Sequence, residues 1–368
     1  MFAEQEIGPL VDKMEEECNI SLDVISALFQ QGYMAMGVSS EDGGSGISFL
    51  DSLLVVKEMS RVDPAVGLMV TVHNHLVLGA LNRFGTNEQK DKFLPSLSSD
   101  TVGCFCLGED NSNSSSSSSS SLFDLKCKAT RDAEKGGWII NGKKRYVLNA
   151  KESGVFLVVA ATPADEAEGQ LTCFLVQREG IKVETETAKA GSQASSVSEV
   201  SLKGTFVPDS HVLGPVGGAK KICDELLMDS QIGVAAQQLG LAEGALHVAA
   251  SYLIERRKID EDAKSSYIKY EIAKAAAEIE SVKALVHYAA SLRTAAAPAA
   301  AAAAAAARYK AAATAAAVSS KCVDLVGPSA LSKDLEKYYR DSKSTAYDLC
   351  GEEQLLQPIF DALINEYN

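Results

Sequence analysis

Basic charge is what this sequence has least of in relation to need. Against 49 aspartates and glutamates it sets 35 lysines and arginines, a formal net charge of −14. A surface of that sign repels phosphate backbones and anionic lipid, so neither nucleic acid nor a charged membrane is expected as partner. The chain also lacks a run of eighteen bulky apolar residues, and no transmembrane helix is expected. Its opening, MFAEQEIGPLVDKMEEE, has neither the charged-then-apolar pattern of a secretory signal nor an Arg-rich amphipathic presequence. Either the chain stays in the cytosol or a targeting segment lies outside this sequence. Cysteine motifs are missing too. The eight cysteines (18, 104, 106, 127, 173, 223, 322 and 350) are dispersed, with no CxxC and no histidine at ligand spacing. They read as reduced, mostly buried thiols; Cys104 and Cys106 have the spacing of one strand face.

What is present suffices for a sizeable core. The chain has 368 residues, 46% of them hydrophobic, enough for two or three structural units. Residues 1–102 read as helices: ISLDVISALFQQGYMAM, FLDSLLVVKEMSRV and VHNHLVLGALNRFG repeat apolar residues at helical spacing, and TNEQKDKFLPSL begins on a capping Thr86. Residues 103–215 change texture. GWIINGKKRYVLNA, SGVFLVVAAT and QLTCFLVQR are strand-like segments with turn signals between them, and Trp138 reads as core. Residues 216–368 return to long amphipathic helices. Two segments are of low complexity. Eight consecutive serines, Ser114–Ser121, fit a flexible loop, and Ala295–Ala317 is nearly all alanine, with Arg308, Tyr309 and Lys310 inside it. The alanine run reads either as a genuine low-complexity helix or as a stretch of undetermined residue identity.

The order helix, strand, helix carries a resemblance that covers nearly the whole chain. LFQQGYMAMGVSSEDGGSGIS, VHNHLVLGALNRFGTNEQKDKFLPSLSSDTVGCFCLGE, GVAAQQLGLAEGALHVAASYLIERR and LEKYYRDSKSTAYDLCGEEQLL follow one another as they do in acyl-CoA dehydrogenases. The chain resembles that family, nearest its short-chain branch. The resemblance implies an α+β architecture: an N-terminal helical domain, a middle β-barrel or sandwich, and a C-terminal four-helix bundle. It also implies one reaction, removal of an α-proton from an acyl thioester by a carboxylate with hydride passing to FAD.

The resemblance also assigns working positions, and many are altered here. Where the family has LTEPGAGSD against the flavin, this chain has Gly108 at the threonine and Asp110 at the proline, with Asn111 and Asn113 for the glycines. Ser112 or Ser114 could restore the lost donor from the serine run. In NGKKRYVLN, Tyr146 stands for the tryptophan that covers the flavin and Leu148 for the threonine that hydrogen-bonds it; leucine donates nothing. Arg256 matches a residue that reaches FAD phosphates across a dimer, but Ile259 and Asp260 follow it. Asp324 and Gly327 fall in a further FAD contact, with Pro328 beside them. The catalytic glutamate falls on Asp348, one methylene shorter, with Leu349 and Cys350 for the small residues after it; Asp348 reads equally as a solvated acid before a turn. The other branch's base position is Ser230, followed by Gln231.

Glu109 reads as a loop or helix-adjacent charge rather than a catalyst, His73 and His75 as packing or surface residues, and Tyr338, Tyr339 and Arg340 as interface packing. The pattern implies FAD held weakly or not at all, acyl-CoA as a possible ligand, and a protein partner in a homo- or hetero-oligomer. It points to a catalytically impaired accessory or assembly subunit in the mitochondrial matrix, where the family serves the respiratory chain through a flavoprotein. The alternatives are an active FAD enzyme with Asp348 as base, and a cytoplasmic location.

Overall fold

The structure, a computed structural model, describes residues 2–109, 123–163, 170–186, 188–257, 266–332, 335–349 and 351–367. Ser114 with its serine run, Asp110, Asn111, Ser112, Asn113, Ile259, Asp260 and Cys350 lie outside the described residues.

The N-terminal part is helical: α1 (Val11–Glu17), α2 (Leu22–Gln30), α3 (Phe49–Ser60), α4 (Pro64–Thr71), α5 (Gly79–Phe84) and α6 (Asn87–Ser99). Local signals set the ends. Ser21 and Ser48 cap α2 and α3 by accepting backbone N–H bonds, and Asp63 caps α4 with proline at its first position. At α6, Thr86 and Gln89 form a reciprocal capping box. Between α4 and α5 the chain stays helical but wide-turned over Val72–Leu78. Pro64–Phe84 is thus one rod, long and apolar enough by composition alone to cross a membrane. In this fold 94% of its most apolar window is buried, as in a core helix.

The described strands form one eight-stranded, mostly antiparallel sheet. They are β1 (Val102–Cys106), β2 (Lys128–Asp132), β3 (Gly137–Leu148), β4 (Ser153–Thr162), β5 (Gln170–Gln177), β6 (Lys182–Glu186), β7 (Val197–Pro208) and β8 (Val212–Leu213). The order is β6-β7-β3-β2-β4-β5-β8, with β1 parallel to β4. β3 runs antiparallel to β7 with register breaks at Ile140/Gly142 and Lys144/Val147. Such bulges re-aim side chains. Trp138 is buried within the sheet's own apolar cluster.

The C-terminal helices are α7 (Ala219–Arg257), α8 (Ser266–Thr294), α9 (Ala300–Val326), α10 (Leu335–Thr345) and α11 (Glu352–Tyr367). α9 packs against all four others. Its alanines allow that approach: Ala304, Ala305, Ala307 and Ala315 are fully buried. One apolar cluster joins the N-terminal helices to α7, α8, α9 and α10, and a second joins α4, α5, α6, the sheet and α7.

Candidate active site

Asp348 sits in the turn between α10 and α11. Its backbone N–H bonds to Thr345 O at 3.3 Å, and Leu349 beside it is left-handed at φ 66. A leucine in that region is strained, and such strain collects at working sites. The Asp348 Oδ2 is buried without a hydrogen-bond partner, so the residue is not the solvated acid that a turn suggests. Burial pushes its carboxyl up to about 6, against the pull of Arg308, Lys189 and the Gln237 amide. Asp348 and Leu349 line a cavity of about 410 Å³ with Leu227, Ser230, Gln231 and Arg308. The Ser230 hydroxyl is turned to Leu227 O at 2.8 Å. A carboxyl that titrates near neutral at the wall of a cavity can accept a proton from a bound molecule.

The opposite side of the predicted site is built on β3. Lys144 is fully buried and donates to Leu107 O at 3.1 Å and to Glu109 at 2.6 Å. Glu109 in turn accepts from the Lys126 and Cys127 backbone N–H groups. Glu109 is therefore no loop charge: it closes a buried ion pair that holds the root of the flavin loop. The β3 bulge puts Tyr146 at φ 55 and 61% exposed, with the Arg145 guanidinium 5.4 Å from its ring centre. Leu148 points the other way. It is 4% exposed and shares one apolar cluster with Leu107, against which Phe123, Leu227 and Leu349 pack. Gly108 has no side chain to donate, and its carbonyl accepts the Arg145 N–H at 2.9 Å.

The remaining predicted positions are far from Asp348 within the chain. Arg256 and Asp324 are exposed near the C-terminal ends of α7 and α9, and Gly327 ends α9 at φ 70. The Tyr252 hydroxyl bonding Ser329 at 2.8 Å places those ends together. Along α7 the step from Gln231 to Arg256 is roughly 38 Å at the helical rise. The histidines are structural. His73 donates from Nε2 to Leu97 O at 3.0 Å and accepts the Gly103 N–H at Nδ1 at 2.9 Å. His75 Nε2 bonds Ser52 at 3.0 Å. Tyr338 and Arg340 pack inside the chain, the tyrosine hydroxyl on Arg61 O and the guanidinium on Glu15 and Glu336. Six of the seven described cysteines are buried and all seven are free. No cluster of metal-ligating residues occurs among the described residues.

Family models for the N-terminal, middle and C-terminal domains of acyl-CoA dehydrogenases match residues 1–101, 104–205 and 218–348. The chain belongs to the acyl-CoA dehydrogenase family. It is 34% identical to the rat mitochondrial short/branched chain specific acyl-CoA dehydrogenase, covering 94% of this chain and 80% of that protein. It is 30% identical to the short-chain specific enzyme of Clostridium acetobutylicum, covering 94% and 90%. Among solved structures, butyryl-CoA dehydrogenase from Megasphaera elsdenii superposes at a TM-score of 0.91 with 26% identity, over 99% of this chain and 95% of that one. A chain from a structure of the electron transferring flavoprotein of Acidaminococcus fermentans gives 0.91 with 28% identity, over 98% and 94%.

Acyl-CoA dehydrogenases bind FAD. Of the described positions that the resemblance assigns to the flavin, Tyr146 presents an exposed ring. Leu148 is packed into the core and Gly108 is bare, so neither supplies the side-chain donor that the resemblance calls for. Two elements of the site escaped the sequence reading. Lys144 lies 35 residues from Glu109, and Arg308 sits among alanines; neither announces a partner locally.

Proposed function

We propose that this acyl-CoA dehydrogenase-family protein has lost the flavin half of its site. It is catalytically impaired or inactive, and serves as a structural, accessory or assembly subunit of a larger complex. The observation that carries the reading is Leu148. An aliphatic side chain buried in the apolar cluster that also holds Leu107 stands where a flavin donor is called for. Two further observations support a protein partner. The phosphate-contact positions Arg256, Asp324 and Gly327 are too far from Asp348 for one chain to complete a site, so a second copy would have to supply them. The helix α11 also exposes Leu356, Phe360, Leu363 and Tyr367 along one face. Placement in the mitochondrial matrix follows the mitochondrial rat and bovine relatives. A respiratory complex follows from the family's link to that chain through a flavoprotein.

A second reading is favoured by Asp348 itself. Its buried carboxyl, raised to about 6 beside the cavity, is suited to take the α-proton of an acyl thioester. The C–H bond breaks, the proton moves to the Asp348 oxygen, and the electron pair is delocalised into the thioester carbonyl. With FAD bound to accept the hydride, the chain would then be an active acyl-CoA dehydrogenase with Asp348 as its base.

The two readings separate in a dehydrogenation assay with butyryl-CoA and an artificial electron acceptor, run beside light scattering. The first predicts little or no turnover and a species heavier than 38.9 kDa. Steady turnover removes the first reading and leaves the second. A clean monomer that recovers no partner contradicts the subunit role.

A further inference from the structure

The alanine-rich helix α9 carries one residue that its composition does not explain. Arg308 is the largest fully buried side chain among the described residues. A guanidinium taken out of water is tolerated only where acceptors and opposite charge are arranged around it. Here the acceptors belong to one short stretch. Arg308 Nη2 donates to Thr345 O at 2.9 Å, to Ala346 O at 3.2 Å and to Asp348 O at 3.2 Å. These carbonyls close the C-terminal end of α10, where a helix leaves acceptors unsatisfied and a cation is favoured. Thr345 O takes a second bond from the Gln238 amide on α7 at 3.0 Å.

We propose that Arg308 is a positioning residue for Asp348, gripping the turn that presents the carboxylate to the cavity. The inference rests on the reading of Asp348 as a base and extends it to α9. The charged and polar groups around the carboxyl are Arg308 on α9, Lys189 in the β6–β7 connection, Gln237 on α7 and Asp341 on α10; Asp224 on α7 lines the same cavity. With Arg308 gone, burial and Asp341 still disfavour ionisation, and two of the opposing groups, Lys189 and Gln237, remain. The carboxyl then titrates higher. Lysine at the same place keeps the charge, but its Nζ ends one bond short of the single Nη2 that reaches the three carbonyls.

The test is a ¹³C NMR titration of carboxyl-labelled aspartate in the full chain, with Asp348→Asn identifying the signal and circular dichroism checking each fold. α-Proton exchange of butyryl-CoA is followed on the same samples. In the wild type Asp348 titrates near 6; in Arg308→Gln the midpoint rises by about one unit and the exchange profile moves with it. In Arg308→Lys the midpoint stays and the exchange rate falls. Unchanged midpoints and rates in both variants overturn the proposal. A wild-type midpoint near 4 that still rises in Arg308→Gln keeps the role of Arg308 and removes the base reading. Should Arg308→Gln fail to fold, Arg308→Lys decides: a lower rate at an unchanged midpoint supports the grip, and an unchanged rate ends it.

Discussion

The two halves of the site have kept different things. On the bundle side, α7, α9 and the Asp348 turn keep a cavity, a buried carboxyl that titrates high, and a buried arginine holding the turn. On the sheet side, the frame stands in Lys144 and Glu109 while the positions that the resemblance assigns to flavin contact are bare at Gly108 and apolar at Leu148. The contrast teaches that a scaffold and its chemistry are held by different residues. A buried ion pair is costly to break whether or not a cofactor binds, so the frame persists for the fold. A donor that only a cofactor would satisfy contributes nothing to the fold by itself, and an apolar residue there is the more stable choice.

The frame is the place to break this contrast most severely. Lys144→Met leaves the Glu109 carboxylate buried and unpaired, and about 3–5 kcal/mol of stability is expected to go. Urea unfolding measures it, and a loss below 1 kcal/mol would show that the pair is not what holds the sheet side. On the bundle side, Asp348→Asn is expected to slow α-proton exchange by about 10² or more, read by mass spectrometry of butyryl-CoA in D₂O. Exchange that survives the change would place the base elsewhere.

The same substitution has a stability signature of opposite sign. A carboxyl raised to about 6 in the fold takes up its proton before the unfolded chain does. Ionised Asp348 therefore weakens the fold above pH 6, and the penalty fades as pH falls toward 4. Asp348→Asn should be more stable than wild type by roughly 1–3 kcal/mol at pH 7.5, with no gap below pH 4. A constant gap across that window would mean that the carboxyl is not buried. The smallest effect belongs to the sheet side. Leu148→Thr puts a hydroxyl into an apolar cluster and should cost about 1 kcal/mol, a loss that added FAD partly restores. Thermal unfolding with and without FAD reads both.

How much of this was legible depended on range. Helix ends followed from neighbours: Thr86 and Gln89 are three residues apart, and their capping box was visible as a capping threonine. The strands of β3, β4 and β5 showed in their own composition. The site did not, because its contacts join distant residues. Asp348 looked like a turn acid, and only the packing of α7 and α9 around it takes its Oδ2 out of solvent. Glu109 looked like a loop charge until β3 folded Lys144 beneath it. Pro64–Phe84 escaped notice as a long apolar rod because His73, Asn74, His75 and Arg83 interrupt it, and those histidines are spent on the contacts that tie the rod to α3, α6 and β1.

The flavin content of the purified chain tests the central claim most directly. Visible absorbance after gel filtration in the presence of excess FAD gives the number of flavins per chain. The account predicts a colourless protein, with well under one flavin per ten chains left after filtration. A yellow protein carrying one flavin per chain would contradict it, and would show that backbone groups, the loop beyond Glu109 or a second copy replace the donors that Gly108 and Leu148 lack.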